Sequence, residues 1–177
     1  MKKFIILTLF PFILLSQENY TWDEYLDIDT CLDVHNKARA EVGVKKLLWS
    51  PELANDAQKY AEELANKDNM VHSEENNGQG ENLYYSYKSK TLNGIKSFEF
   101  SETPFTDASN AWYAEIVDYS YGPIKNDSHF YKIGHYTQMI WSNTKEFGMG
   151  YAKSKSGKIY VVARYYPQGN YFGEYPY

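Results

Sequence analysis

Three scarcities in the sequence each exclude a class of protein. Cys31 is the single cysteine in 177 residues, so no disulfide framework can form within the chain. The 18 basic side chains form no stripe and are outnumbered by 23 acidic ones, so we expect no nucleic-acid partner. After residue 16, no apolar run is long enough to span a bilayer of about 30 Å. A charged fraction of 23% also excludes a polytopic membrane protein.

The sequence does contain enough apolar material for one folded domain. Hydrophobic residues make up 43% of the chain, and 177 residues can bury a core without disulfides. Cys31 is therefore expected to be free and buried on a helix, because unpaired cysteines are among the most buried residues. Pairing between two molecules is the alternative for this thiol.

The N-terminal segment is typical of a secretory signal. Two lysines precede an apolar stretch over residues 4–15, which is too short for a transmembrane helix and suits a signal peptide. We predict a signal peptide over residues 1–16, a lead-in over residues 17–28 and one domain over residues 29–177. Such a chain is secreted to the extracellular space, with a membrane-tethered N terminus as the alternative.

Hydrophobic periodicity and capping residues predict an α+β domain. The Ser50-Pro51 pair indicates a helix start, and residues 154–157 have the composition of a hairpin turn. Residues 88–106 show no clear pattern and are expected to form an irregular loop. The predicted elements are helices over residues 29–43, 51–66, 107–119 and 135–141, and strands over residues 83–85, 148–153 and 158–165. Together they predict an antiparallel sheet with helices packed on it.

Two histidines and two glutamates are candidates for chemistry. His72 and His135 each flank a regular element, whereas His35 lies on the apolar face of the first helix and is expected to be a core residue. Glu81 precedes a strand, and Glu115 faces the core side of its helix. Buried carboxylates need partners, and imidazoles can share protons with them or hold a divalent cation beside them. Spacing alone does not place these four side chains together.

Several runs of the sequence resemble the CAP superfamily, which comprises cysteine-rich secretory proteins, antigen 5 and pathogenesis-related 1 proteins. Residues 134–144, GHYTQMIWSNT, resemble its first signature, and residues 161–171, VVARYYPQGNY, resemble its second. Other similar pieces occur in the family's order: His35-Asn36 with Arg39 and Gly43, residues 48–50, residues 80–83 and residues 112–115. The resemblance extends from residue 30 to the end of the sequence.

The resemblance implies a three-layer α-β-α sandwich with a central antiparallel sheet and a cavity that holds a tetrad of side chains. His72, Glu81, Glu115 and His135 match the four tetrad positions. In relatives the two histidines can bind zinc or another divalent cation. The resemblance therefore assigns His72 and His135 as metal ligands, and it leaves Glu81 and Glu115 to orient the imidazoles or water.

The sequence departs from the family pattern in two respects. Many secreted relatives have a cysteine where this chain has Ala163-Arg164, and here it is similar to the disulfide-poor Golgi-associated plant pathogenesis-related branch. Protease activity would need a nucleophile near His72, but Ser73 and Ser86 lack the strand-to-helix turn that presents an activated serine. We therefore expect a binding module rather than an enzyme, with a metal-dependent or serine hydrolase as the alternative.

We expect the ligand to be a sterol or fatty acid in a hydrophobic groove. The candidate groove residues are Phe98, Phe100, Phe105, Tyr119 and Tyr121, and the alternative is that these aromatic side chains belong to the core. Association with membranes is expected only through such a lipid ligand. Two further alternatives are binding to a cell-surface protein and release of the C-terminal segment as a signalling peptide.

Overall fold

The computed structural model describes residues 27–75 and 77–177. The predicted signal peptide over residues 1–16 lies outside this part, as does most of the predicted lead-in, so the boundary at residue 29 stays a prediction. Among the described residues, no helix is both long and apolar enough to cross a membrane.

The described chain forms an α+β fold, as the sequence predicts. The two N-terminal helices and the C-terminal hairpin begin and end within two residues of their predicted positions. In chain order the elements are α1 (Ile28–Glu41), β1 (Leu48–Trp49), α2 (Pro51–Lys67), β2 (Gly80–Tyr87), β3 (Ser89–Leu92), β4 (Ile95–Phe98), α3 (Pro104–Tyr113), α4 (Gly134–Met139), β5 (Glu146–Lys153) and β6 (Lys158–Tyr166), with 3-10 helices at Ala114–Asp118 and Phe130–Lys132.

A four-stranded sheet forms the middle layer of the molecule. Its strand order is β1-β5-β6-β2, and the pairs β5–β6 and β6–β2 are antiparallel. The two-residue strand β1 adds a parallel pair at the edge, which the sequence did not predict. Helix α2 packs on one face of the sheet, while α1, α3 and α4 cover the other. This arrangement confirms the three-layer α-β-α sandwich.

Strand β6 shows why both faces of the sheet need a cover. Val161, Ala163 and Tyr165 belong to the core shared with α1, α3 and α4, whereas Tyr160 and Val162 belong to the core beneath α2. Successive side chains of a strand point to opposite faces, and these five are all almost fully buried. A strand that is apolar on both faces is stable only between two layers.

Side chains fix the starts of two helices. The Ser50 hydroxyl caps α2, as the Ser-Pro start predicts. Helix α1 begins at Ile28, and the side chain of its N-cap residue Asp27 makes no hydrogen bond to the helix. Asp27 instead accepts a hydrogen bond at 2.8 Å from the Thr106 N–H in the first turn of α3, and burial raises the pKa of this carboxyl. One carboxylate thereby ties the N termini of two helices together.

Residues 88–106 contain a β-hairpin, so the prediction of an irregular loop is wrong. Strands β3 and β4 pair antiparallel with Leu92 opposite Ile95, and Asn93 and Gly94 form the turn with φ angles of 53° and 76°. Asn-Gly is a preferred sequence for a two-residue hairpin turn because both positions take positive φ. This dipeptide was the available signal for the hairpin.

Arg39 is a fully buried cation that binds main-chain carbonyl groups. Its guanidinium donates at 2.6 Å to Lys45 O, at 2.9 Å to Met139 O, at 2.9 Å to Trp141 O and at 3.0 Å to Thr144 O. Burial lowers the pKa of Arg39 to about 10, so the side chain stays protonated at neutral pH. The guanidinium thereby fastens the segment between α4 and β5 to α1.

Cys31 and His35 are buried on the inner face of α1, which confirms both predictions. The Cys31 thiol donates to the Ile28 carbonyl at 3.1 Å, and burial raises its pKa. Nδ1 of His35 lies 2.9 Å from the Cys31 carbonyl and must donate to it, so Nε2 accepts from the Tyr165 hydroxyl at 2.8 Å. Burial and, to a lesser degree, the charge of Arg39 lower the pKa of His35 to about 4.

Two glycines allow α2 to lie directly on the sheet. Gly148 and Gly150 are two residues apart on β5 and face the helix. A Cβ on Gly148 would lie under 3.0 Å from the main chain of Ala54, and one on Gly150 would lie under 3.0 Å from the main chain of Gln58. Any larger residue would therefore separate the two layers.

Replacing Gly150 by alanine should lower the free energy of unfolding by about 3 kcal/mol, because the added methyl group has to push α2 away from β5. Gly122→Ala is the matched control, since a Cβ at Gly122 would meet no atom closer than 3.9 Å, and it should change this free energy by less than about 0.5 kcal/mol. Urea unfolding measures both variants. Equal losses would contradict the packing argument.

The stability of the fold should fall between pH 6.5 and pH 4 because of His35. An ordinary histidine in the unfolded chain has a pKa of about 6.5, whereas His35 in the fold stays neutral down to about pH 4. The unfolded state therefore binds more protons in this window. The free energy of unfolding should drop by about 3 kcal/mol as the pH is lowered through it, and unfolding at several pH values measures this drop.

Two variants separate the contribution of His35 to this pH dependence from that of other groups that titrate in the same pH range. His35→Gln should lose the part of the pH dependence that lies between pH 6.5 and pH 4, even though the variant is less stable throughout. His129→Gln, which removes an exposed histidine, should keep the pH dependence of the natural chain. Parallel pH profiles for His35→Gln and the natural chain would show that His35 is not the group responsible.

Candidate functional site

A cavity of about 200 Å³ opens where the start of β2 meets the start of α4. Three of the four predicted tetrad side chains line it, and the fourth, Glu115, is hydrogen-bonded to one of them. The structure therefore brings together the residues that spacing alone does not. The lining residues are His72, Glu81, Asn82, Phe130, Tyr131, Gly134, His135 and Asn170.

The carboxylate of Glu115 holds His135 in place. Nδ1 of His135 lies 2.5 Å from Oε1 of Glu115, and Oε2 accepts from the main-chain N–H groups of His135 at 2.9 Å and Tyr136 at 3.0 Å. Glu115 thus orients the imidazole and caps the first turn of α4 at the same time. The Trp112 ring stacks on the imidazole at an interplanar angle of 22°, with the ring centroids 6.0 Å apart.

Glu81 holds His72 in the same way, with Nδ1 and Oε1 2.6 Å apart. The Ser73 N–H donates to Oε1 at 3.1 Å, and the Arg164 guanidinium lies 3.0 Å from Oε2. Burial by itself would raise the pKa of Glu81, but the hydrogen bond from His72 and the charge of Arg164 outweigh it and keep this pKa below its usual value. Glu81 is therefore an anion at neutral pH, while 65% of the His72 side chain is exposed at the rim.

Close packing of β2, α4 and the C-terminal segment sets the shape of the cavity. Gly80 leaves no room for a side chain, because a Cβ there would lie under 3.0 Å from Oε1 of Gln138. The same oxygen accepts from the Gly169 N–H at 2.9 Å. Asn170 donates to the Gly134 carbonyl at 2.7 Å and so fixes the start of α4.

A buried chain of hydrogen bonds connects the cavity to α1. The amide nitrogen of Asn82 donates to the His135 carbonyl at 3.1 Å and to the Tyr165 hydroxyl at 3.2 Å. That hydroxyl in turn donates to Nε2 of His35. Each of these polar groups is satisfied away from water, so the main chain beside the cavity is held from within the core.

The two Glu–His pairs leave the same atom available on each imidazole. Since a carboxylate engages Nδ1, each neutral ring presents its Nε2 lone pair. Within residues 27–75 and 77–177, no hydrogen bond occupies Nε2 of His72 or of His135. An imidazole nitrogen with a free lone pair is a common ligand of divalent cations. No group of three or more His, Cys, Asp or Glu side chains that could hold a metal occurs in the same part of the chain.

Arg164 is the site residue that sequence reasoning missed. Its guanidinium lies 3.0 Å from both Glu81 and the Ser73 hydroxyl, and 5.1 Å from the centroid of the Tyr60 ring. A charge inside the apolar run of β6 needs a buried partner, and this was the available signal. Together with Arg39, it gives the chain two arginines, both buried.

Neither candidate nucleophile is arranged for catalysis. The Ser73 hydroxyl accepts from Arg164, and Ser86 lies near the end of β2 that is remote from Glu81. In the part of the chain that the structure describes, no histidine nitrogen is hydrogen-bonded to either hydroxyl. An activated serine needs such a base.

The five aromatic residues predicted to line a ligand groove lie in three separate places. Phe98 and Phe100 are each 37% exposed at the β3–β4 hairpin, and Phe105 is fully buried in the core. Tyr119 and Tyr121 line a second cavity of about 390 Å³. The structure therefore does not unite them in one groove. Phe105 belongs to the core, as the alternative interpretation of these aromatic residues predicts.

The C-terminal segment is hydrogen-bonded to the rest of the domain. The Ser142 N–H donates to the Pro176 carbonyl at 2.7 Å, and the Ile124 N–H donates to the Glu174 carbonyl at 2.8 Å. The Gly173 N–H returns a bond of 2.8 Å to the Ile124 carbonyl. The segment thus contacts Ile124, which lines the second cavity, and its release as a signalling peptide stays a prediction.

Comparison with known proteins identifies relatives over most of the chain. The CAP profile of the cysteine-rich secretory protein family matches residues 32–165. Pathogenesis-related leaf protein 4 of Solanum lycopersicum is 37% identical over 147 residues, which make up 82% of this chain and 80% of that protein. Golgi-associated plant pathogenesis-related protein 1 of Homo sapiens is 34% identical over 81% of this chain and 84% of its own length.

Solved structures show the same architecture. NaASP2, solved with Zn²⁺, superposes with a TM-score of 0.69 at 26% identity, covering 90% of this chain and 88% of its own. BmVAL-1 shares the fold with a TM-score of 0.70 at 24% identity, over 92% of this chain and 85% of its own. The resemblance and the fold class read from the sequence are both confirmed. The chain belongs to the CAP family of cysteine-rich secretory proteins.

Proposed function

We propose that this protein is an extracellular binding module whose central cavity holds a divalent cation, with zinc as the first candidate. The ligands are Nε2 of His72 and Nε2 of His135. The observation that carries the proposal is the pair of Glu–His contacts, at 2.6 Å and 2.5 Å, which hold both imidazoles in the tautomer that binds metal. The relative NaASP2 was solved with Zn²⁺. The extracellular part of the proposal rests on the predicted signal peptide.

The side chains around the two histidines would support a bound cation. Glu81 and Glu115 orient the two imidazoles and offset the charge of a cation, and Arg164 keeps Glu81 ionised. A bound zinc ion would supply open coordination positions, where water or a ligand oxygen can bind. We favour binding over hydrolysis because Ser73 is held by Arg164 and has no base beside it.

Removing either histidine should weaken zinc binding by about 100-fold or more, because each supplies one of two protein ligands. Glu115→Gln should weaken it by about tenfold, since an amide oxygen can still accept from the main chain but holds the imidazole less strongly. Titration calorimetry of the purified chain with zinc chloride measures the affinities of His72→Ala, His135→Ala and Glu115→Gln.

His129→Ala is the matched control for these variants. This exposed histidine lies outside the cavity lining, so its removal should leave zinc affinity unchanged. Zinc binding that survives in the double variant His72→Ala/His135→Ala would contradict the proposed site. Cleavage of peptide or ester substrates that disappears in the same double variant would instead support the hydrolase.

A second proposal concerns the lipid ligand, which we place in the cavity lined by residues 119–133. Its volume of about 390 Å³ lies within the range of about 300–1,000 Å³ that is usual for small-molecule pockets. Ile124 and Ile133 are buried in its wall beside Tyr119, while Lys125 is exposed at the rim. A fatty acid fits this chemistry with its chain on the apolar wall and its carboxylate near the lysine.

Gly122→Leu should reduce binding of labelled palmitate or cholesterol at least tenfold, because its side chain would enter the cavity from a position that has open space. Phe98→Ala is the control outside the cavity and should bind the ligand normally. Saturable binding measured by fluorescence titration distinguishes them. Loss of lipid binding in Phe98→Ala alone would place the groove at the hairpin instead. Absence of saturable binding in the natural chain would overturn the lipid proposal.

A further inference from the structure

The β3–β4 hairpin is the most exposed regular element of the described chain. Every residue of both strands is exposed, and Leu92 and Ile95 at its tip are 65% and 73% exposed. These two aliphatic side chains are direct cross-strand partners on either side of the Asn-Gly turn. An aliphatic pair held in water at a hairpin tip contributes little to the fold, because its apolar surface stays unburied.

The register of the hairpin turns this aliphatic pair away from the domain. Side chains of a strand alternate between faces, so Lys90, Leu92 and Ile95 share one face of the hairpin while Phe98 lies on the other. Phe98 packs against the turn between β5 and β6, where a Cβ on Gly157 would lie under 3.0 Å from its ring. The face that carries Leu92 and Ile95 therefore points into solvent.

The hairpin and the turn beside it carry an excess of positive charge, with Glu99 next to them at the end of β4, where its N–H donates to the Lys88 carbonyl. Residues 88–98 contain three lysines and no acidic residue, and residues 153–158 contain another three lysines and no acidic residue. Of the 18 basic side chains, 12 then remain elsewhere, against all 23 acidic ones. The two segments are neighbours, since a Cβ on Gly157 would lie under 3.0 Å from the Phe98 ring. Nζ of Lys153 also lies 4.6 Å from the ring centroid of Phe100, two residues beyond the hairpin.

Most of this positive charge is unpaired. Lys158 forms an ion pair with Asp68 at 3.4 Å, whereas the other five lysines have no ion-pair partner among the described residues. Lys96 lies 5.3 Å and 5.5 Å from the ring centroids of Tyr87 and Phe98, which holds its ammonium group beside aromatic side chains rather than beside a carboxylate. The hairpin and the adjacent turn thus form one basic surface with an aliphatic tip.

We propose that the β3–β4 hairpin docks on an anionic phospholipid bilayer, with Leu92 and Ile95 entering the boundary between headgroups and acyl chains. Apolar side chains gain by leaving water there, and the flanking lysines are attracted by the negative surface potential. This contact needs no bound lipid ligand, in contrast to the expectation from the sequence. An acidic protein would match the lysines but offers no apolar phase to the tip.

Co-sedimentation with vesicles tests the electrostatic part of the proposal. The chain should bind phosphatidylcholine vesicles that contain phosphatidylserine, and binding should weaken as salt is raised. The triple variant Lys88→Gln/Lys90→Gln/Lys96→Gln should bind about 100-fold more weakly, since each lysine near an anionic surface strengthens binding about fivefold. The matched control Lys45→Gln/Lys46→Gln/Lys145→Gln removes the same charge near the start of β5, at the opposite end from the 153–158 turn, and should bind normally.

A fluorescent label tests whether the tip enters the membrane. Cys31 is fully buried, so an environment-sensitive thiol dye attaches only to the new cysteine in Leu92→Cys or in the control Lys46→Cys. On phosphatidylserine vesicles the emission of the label at residue 92 should shift to the blue, and that at residue 46 should not.

Several outcomes would overturn the proposal. Equal binding to phosphatidylcholine–cholesterol vesicles without phosphatidylserine would point to a lipid ligand as the source of membrane contact. Equal loss in both triple variants would point to net charge rather than to the hairpin. No vesicle binding together with capture of an acidic protein by the lysine surface would establish a protein partner in place of the bilayer.

Discussion

The sheet and the cavity above it depend on one buried cation, the guanidinium of Arg39. A buried charge without a carboxylate is costly unless its donors find acceptors, and here four main-chain carbonyl groups accept hydrogen bonds from the guanidinium. Arginine suits the position because its planar fork reaches acceptors in several directions, whereas a lysine ammonium is a compact point charge. The bonds to Met139, Trp141 and Thr144 fix the chain between α4 and β5, so α4 is held at its C-terminal end.

The N-terminal end of α4 is held by a negative charge, the carboxylate of Glu115. The Glu115 carboxylate accepts from three N–H groups, two on the main chain and one on the His135 ring. Two carboxylates near one small cavity would repel each other if both were bare. Each is instead surrounded by its own donors, since Glu81 is bound by His72, the Ser73 N–H and Arg164. The site therefore keeps two imidazoles in fixed orientations without depending on a bound ion to hold the carboxylates in place.

Sequence patterns predicted the parts of this structure that local chemistry decides. The Ser50-Pro51 start of α2 is an example, because a cap and a first-turn proline act within one turn. The β3–β4 hairpin is decided locally as well, because Asn93 and Gly94 supply the two positive φ angles of its turn. Long-range pairings are a different matter. The bond from Asp27 to Thr106 and the pairing of Glu81 with Arg164 join residues that only the folded chain brings together, so no spacing in the sequence reveals them. For the same reason the tetrad became visible through a family resemblance and not through periodicity.

The central cavity and the basic hairpin lie at opposite ends of β2. Glu81 stands near the start of this strand and Tyr87 at its end, and six residues at about 3.3 Å each separate them by about 20 Å. Strand β2 is paired with β6 along its whole length, so it acts as a stiff spacer between the two sites. A molecule docked through its hairpin would therefore keep the cavity away from the bilayer and open to water. The two sites can then act at the same time. The hairpin would localise the protein at the membrane while the cavity binds its ligand.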